Sequence, residues 1–310
     1  MDDKKLIWIY PGQGSQFVGM GRDLAENSPK AKALFEKANK IMGFDLTSII
    51  FDGPEESLKR TLYTQPAILV ICMALHQLLT GTKAVPPAIA VAGHSLGEYT
   101  ALWAAGVLDT ETVLRLVKRR AELMDAAAQS SKGKMAAIMG LTDEKLSDLV
   151  ATCGGKVILA NYNAPKQTVI SGEAAAVEEA VEKCKEAGAK RAVVLQVSGG
   201  FHSPLMEGPA QELGKLIDEA QFSPAQMPVI TNCDATPHTD PEELRANLRK
   251  QMMSSVLWTK MVARGAEEYK PDAFVEIGPG SVLAGLIRRI NPEIPCSNIA
   301  TWNDILTLRR

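Results

Sequence analysis

Residues 88–108 read AIAVAGHSLGEYTALWAAGVL. The first five are an unbroken apolar run, too short for a helix and suited to a buried strand. Gly93-His94-Ser95-Leu96-Gly97 follows, and then a segment of helical period begins. A serine between two glycines at a strand-to-helix turn is held in a tight backbone conformation with its hydroxyl raised above the sheet. The N–H after it opens the helix and can donate to a developing oxyanion. A glycine-punctuated loop whose serine only caps the helix is the plainer alternative; the strand before and the helix after favour a nucleophile.

Working outward, short strand-like runs at Leu6–Tyr10, Ala88–Ala92, Pro228–Asn232 and Ala273–Ile277 alternate with longer segments of helical period. That alternation predicts an α/β fold with a largely parallel sheet and a site at the strand ends. Between Lys134 and Val197 the order is strand, helix, strand, strand, helix, strand, a ferredoxin-like insert. The expected division is therefore a large α/β domain from residues 1–130 and 198–310, and a small ferredoxin-like domain from 131–197.

With 46% hydrophobic residues in 310, the chain can bury a sizeable core. A formal net charge of -2 without long single-sign blocks gives no footprint for nucleic acid or for a polybasic membrane anchor. The apolar stretch TQPAILVICMALHQLL is interrupted by His76 and Gln77, and the opening MDDKKLIWIYPGQG lacks a signal peptide's apolar core. A cytoplasmic protein is expected. Five scattered cysteines with no CxxC spacing suggest neither a disulfide framework nor a zinc site.

A serine nucleophile needs a base, and there are four histidines. His76 lies in an apolar helical stretch, His238 in a polar turn, and His94 beside the serine points away from it. His202, in the glycine-bearing loop Ser198-Gly199-Gly200-Phe201-His202-Ser203-Pro204, is the candidate base. No acidic residue is nominated as its orienter; a backbone carbonyl can fix the tautomer equally well. In Pro11-Gly12-Gln13-Gly14-Ser15-Gln16, Gln13 is either an exposed amide in a tight turn or a second oxyanion donor through its N–H. Arg120 falls on the apolar face of the Thr110–Ala127 helical run. It is either paired with an internal carboxylate or waiting for a carboxylated ligand.

Pro11–Gln16, GHSLGEY, Arg120, NYNAP, FHSPLM and Gln251 in QMMSSVLW stand in order along the chain. As a set they resemble malonyl-CoA:acyl-carrier-protein transacylases, including the trans-acting acyltransferases of polyketide synthases. The resemblance implies a hydrolase-like α/β domain with a ferredoxin-like insert, and malonyl transfer from coenzyme A to a carrier-protein thiol. Malonyl-CoA and a holo acyl carrier protein are then the partners, with no nucleic acid, membrane, metal or redox cofactor; the coenzyme A thioester is a substrate. It assigns Ser95 as nucleophile, His202 as its base, Arg120 to the malonyl carboxylate, Gln13 and Leu96 to the oxyanion hole, and the Gln251 carbonyl to the orientation of His202. His94, Phe201, Asn161 and Asn163 are implied around the substrate. Leu96 and Phe201 match malonyl-selective relatives. Gly200 stands where those relatives usually have Ala, which implies looser packing and leaves tolerance for larger acyl groups open.

Overall fold

The computed structural model describes residues 4–82, 85–130, 133–195 and 199–308. Its strands are β1 (Leu6–Tyr10), β2 (Ala88–Gly93), β3 (Gly133–Met139), β4 (Val157–Ala164), β5 (Gln167–Glu173), β6 (Arg191–Val194), β7 (Val229–Ile230), β8 (Pro237–His238), β9 (Ala273–Ile277) and β10 (Cys296–Ile299). They form two sheets, ordered β10-β9-β1-β2-β7-β8 and β4-β5-β3-β6. The first is parallel except for the β7–β8 edge hairpin. β1, LIWIY, is buried at every residue, as a central strand covered on both faces must be. The second sheet is antiparallel, carries the helices Asp143–Ala151 and Ala174–Glu186, and has the ferredoxin-like strand order. The boundaries expected for the insert, at residues 131 and 197–198, lie outside the described residues, as do the last residues of its expected final strand.

The helix Thr61–Thr82 runs without a break through His76 and Gln77. By length and composition alone it could cross a membrane, so those two residues do not interrupt it as expected; 78% of its most apolar window is buried inside the protein. Ala67 to Leu75 are all fully buried, which makes it a core helix. The strand expected over Pro228–Asn232 is reduced to β7. Thr231 turns out of the sheet to close a tight loop, its N–H donating to the Thr236 carbonyl, and the Asn232 side chain is bonded to the turn around Ser95. β10 was not anticipated: CSNI is an edge strand without alternation.

The sheet brings two turns together. Tyr10 pairs with Gly93, and the His94 N–H donates to the Tyr10 carbonyl at 3.0 Å, so the glycine-rich turn after β1 lies beside the turn after β2. A Cβ on Gly12 would stand 2.5 Å from the His94 carbonyl oxygen. Only glycine allows this approach.

Candidate active site

Ser95 has φ 49°, a left-handed conformation that a non-glycine residue holds only when its surroundings impose it. Two side chains impose it. The Ser95 N–H donates to Asn232 Oδ1 at 2.7 Å, and Gln251 Nε2 donates to the Ser95 carbonyl at 2.7 Å. The neighbouring glycines complete the turn, since a Cβ on Gly93 would fall 1.9 Å from the Gly97 carbonyl carbon and one on Gly97 2.0 Å from the Tyr10 oxygen. The Leu96 N–H stands at the start of the Gly97–Ala104 helix, ahead of its first intrahelical bonds.

His202, also at positive φ (55°), is buried with Nε2 2.7 Å from Ser95 Oγ. Its Nδ1 lies 3.1 Å from the Gln251 carbonyl oxygen and 3.0 Å from that of Ser254. Two carbonyls can only accept, so Nδ1 carries the proton and Nε2 offers its lone pair to the serine hydroxyl. Burial, reinforced by the Arg120 charge and by His94, lowers the His202 pKa to about 3, so the imidazole is neutral in the empty site and its Nε2 can accept.

Arg120 is 1% exposed, and among the described residues no carboxylate forms an ion pair with it. Its Nη1 donates to Gln65 Oε1 at 2.6 Å, and its Nη2 to Ser95 Oγ at 3.0 Å and Gln251 Oε1 at 3.1 Å. The Tyr99 ring lies 5.4 Å from the guanidinium carbon. Neutral amides and a ring face a full buried charge, an arrangement suited to receiving an anion.

Ser95, His202, Arg120, Gln13, Leu96, His94, Asn161, Asn163 and Phe201 all line one cavity of about 180 Å³, together with apolar side chains such as Met124, Met135 and Leu195. Gln251 lies beneath it, joined to Ser95, Arg120 and His202. The Gln13 side chain is tied to Thr61 Oγ1 at 3.1 Å. His94 holds Asn163 through Nε2 at 2.8 Å and packs against Trp258; burial lowers its pKa. The other histidines are elsewhere. His76 contacts the Tyr10 hydroxyl at 2.8 Å between Trp8 and Trp103, and His238 bonds Asp234 and Glu243.

Of the two alternatives left open for Arg120, the ion pair with an internal carboxylate is absent among the described residues. Gly200, where looser packing was expected, adds no room to the cavity. A methyl there would point at Leu205 Cδ1 (2.7 Å) and the Gly172 oxygen (3.1 Å), neither of which lines it. Sequence reasoning missed Asn232, Gln65, Ser254 and Glu98. Glu98 carried a signal: an acidic residue in the apolar context LGEYTALW, the same kind of pattern that singled out Arg120.

Residues 7–300 match the family described as the acyl transferase domain. Over 297 residues the chain is 42% identical to a malonyl CoA-acyl carrier protein transacylase of Bacillus subtilis, covering 94% of this chain and 92% of that protein. A crystal structure of an acyl carrier protein S-malonyltransferase from Vibrio cholerae superposes with a TM-score of 0.93 at 40% identity, covering 98% of this chain and 99% of that one. A malonyl-transacylase solved in complex with its holo type II polyketide synthase acyl-carrier protein gives 0.94 at 37% identity, with 98% of each chain covered.

Proposed function

We infer the reaction from one premise: the chain belongs to the acyl transferase domain family. It is a malonyl-CoA:acyl-carrier-protein S-malonyltransferase serving fatty-acid or polyketide synthesis. Its substrates are malonyl-CoA and the phosphopantetheine thiol of a holo acyl carrier protein. The observation that carries the choice of acyl group is Arg120, a buried guanidinium without a carboxylate partner, bonded to the hydroxyl of a serine that is itself bonded to histidine.

In the proposed mechanism, the malonyl carboxylate takes a bidentate place on Arg120, which fixes the thioester carbonyl against Ser95. His202 Nε2 takes the hydroxyl proton as Ser95 Oγ attacks the carbonyl carbon. The resulting imidazolium is stabilised by the Gln251 and Ser254 carbonyl oxygens at its Nδ1. The N–H groups of Leu96 and Gln13 receive the oxyanion. Collapse breaks the C–S bond, and His202 returns the proton to the coenzyme A sulfur. The carrier thiol then repeats the steps in reverse, giving ping-pong kinetics. His94 and Asn163 shape one wall of the cavity, and Phe201 and Asn161 line it beside them. Every proposed step uses groups of this chain, without a metal or redox cofactor, and we place the enzyme in the cytoplasm.

Intact-mass analysis tests the scheme. Malonyl-CoA alone should leave one malonyl adduct on Ser95, discharged on adding a phosphopantetheinylated carrier protein. No adduct, or an adduct on another residue, would remove the acyl-enzyme.

A further inference from the structure

Glu98 is fully buried on the helix that begins at the nucleophile turn, and the steps above make no use of it. Its Oε2 accepts from the Asn232 N–H at 3.0 Å and from Gln251 Nε2 at 3.3 Å. Its Oε1 has no hydrogen-bond partner among the described residues. Asn232 and Gln251 are the two residues that clamp the Ser95 backbone. Gln251 must turn its oxygen to Arg120, because a guanidinium only donates, and so presents its NH2 to Glu98. One carboxamide thus joins a buried cation to a buried carboxyl group. A buried guanidinium needs a compensating charge, and Glu98 is the carboxyl group this network connects to it.

The compensation changes when the substrate binds. A malonyl carboxylate on Arg120 adds a second negative charge close to two buried groups, and two carboxylates cannot both stay ionised against one cation at no cost. Building on the malonyl assignment above, we propose that Glu98 is the exchangeable counter-charge of the acyl site. In weakly alkaline solution it is ionised while Arg120 has no other anion, and it takes up one proton from solvent when the malonyl carboxylate occupies the guanidinium. Oε1 is the place for that proton, since Oε2 then keeps both of its N–H donors. Acylation itself is proton-neutral: the Oγ–C bond forms, the C–S bond breaks, and the serine proton leaves on the coenzyme A thiol. The proton on Glu98 is additional, and it returns to solvent when the malonyl group moves to the carrier.

Burial already raises the Glu98 pKa to about 7 against the Asn232 and Gln251 donors; Asp234 adds to the rise and Arg120 opposes it. The other ionisable groups facing it are Tyr99 on its own helix and Cys233 on the turn after β7, both pushed up to about 12 and neutral throughout. The group therefore sits where a nearby charge switches it within the working pH range.

The test counts protons and adducts together. Malonyl-CoA is added to the enzyme in weakly buffered solution with an indicator dye, and malonyl-Ser95 is measured by intact mass. At about pH 8 uptake should approach one proton per adduct, and at about pH 5.5, where Glu98 is already protonated in the empty site, it should nearly vanish. Glu98→Gln should form the adduct without uptake at either pH. A full malonyl-Ser95 adduct with no uptake at the higher pH, or equal uptake in Glu98→Gln, would overturn the proposal while leaving the transferase intact. Should Glu98→Gln not fold, equal uptake by the wild type at both pH values has the same force. Absence of any Ser95 adduct would instead overturn the acyl-enzyme, and this proposal with it.

Discussion

At the scale of single residues, the role proposed for Arg120 is to separate the substrate classes. Arg120→Ala should cut malonyl transfer by about 10²-fold or more while sparing acetyl transfer, because only a dicarboxylic acyl group loses an ion pair. Truncating a buried side chain bonded to Gln65, Ser95 and Gln251 should lower the melting temperature in either role, so the split between the two substrates decides. Parallel loss on both substrates would mean a structural arginine. His202→Ala should slow acylation by about 10²–10⁴-fold, whereas His238→Ala should not. His76→Ala should lower the melting point, through its lost contacts with Tyr10, Trp8 and Trp103, without slowing the folded enzyme. The His202 pKa of about 3 adds a pH prediction. Its imidazole stays neutral as pH falls from 7 to 5, so single-turnover acylation by stopped flow should not show the drop that an ordinary histidine would cause. Stability behaves differently. The unfolded chain takes this proton near the usual histidine value and the folded chain does not, so folding stability should decline as pH falls through the interval between the two.

Single elements show how much was legible. β1 and β9 are read from sequence to the residue, and β2 is read one residue short, because central parallel strands are short, mostly apolar runs; only Glu276 in β9 departs from that. The turn around Ser95 is equally plain, since the glycine demands of Gly93 and Gly97 are local. What escaped is what depends on distant partners. Thr231 and Asn232 look like the end of a strand, but Asn232 is drawn out to Ser95 across 137 positions of sequence. Ser254 supplies a carbonyl, a function any residue could perform, so no sequence signal marks it. At Gly200 the resemblance implies looser packing and leaves larger acyl groups open, whereas a side chain there would run into Leu205, away from the cavity. Gly200→Ala should therefore cost about 1 kcal/mol as Leu205 shifts, and leave the ratio of malonyl to methylmalonyl turnover unchanged. Thermal unfolding with a two-substrate competition assay checks both; a marked change in that ratio would put residue 200 in the pocket wall.

In the whole molecule, the cavity is a joint product of the two sheets. The large sheet supplies the Ser95 turn, and the ferredoxin-like unit supplies Met135, Asn161, Asn163 and Val169 to the opposite wall. The segment after Gln251 fastens one to the other. The Val256 N–H donates to the Ala160 carbonyl at 2.8 Å, the Tyr162 N–H to the Val256 carbonyl at 2.9 Å, and Ser255 Oγ to the Leu159 carbonyl at 2.7 Å, so this segment forms a parallel bridge along the edge of β4. The two carbonyls bonded to His202 Nδ1 stand at the start of this segment, on Gln251, and within it, on Ser254. Base orientation and cavity width are therefore set by one piece of backbone, and a change there should disturb both without touching a reacting group. Val256→Pro tests this coupling, because it deletes the donor to Ala160 while leaving Ser95, His202 and Arg120 in place. Transfer should fall by about 10²-fold, since misplacement on the order of 1 Å is enough for that, with helical content by circular dichroism nearly unchanged. Hydrogen exchange should quicken along β4, at Tyr162 above all, and stay slow in β1. Ser255→Ala, which removes one side-chain bond and no backbone bond, should show the same pattern at a fraction of the size. Wild-type transfer rates in Val256→Pro with rapid exchange along β4 would mean that the two sheets assemble the site independently of this splice.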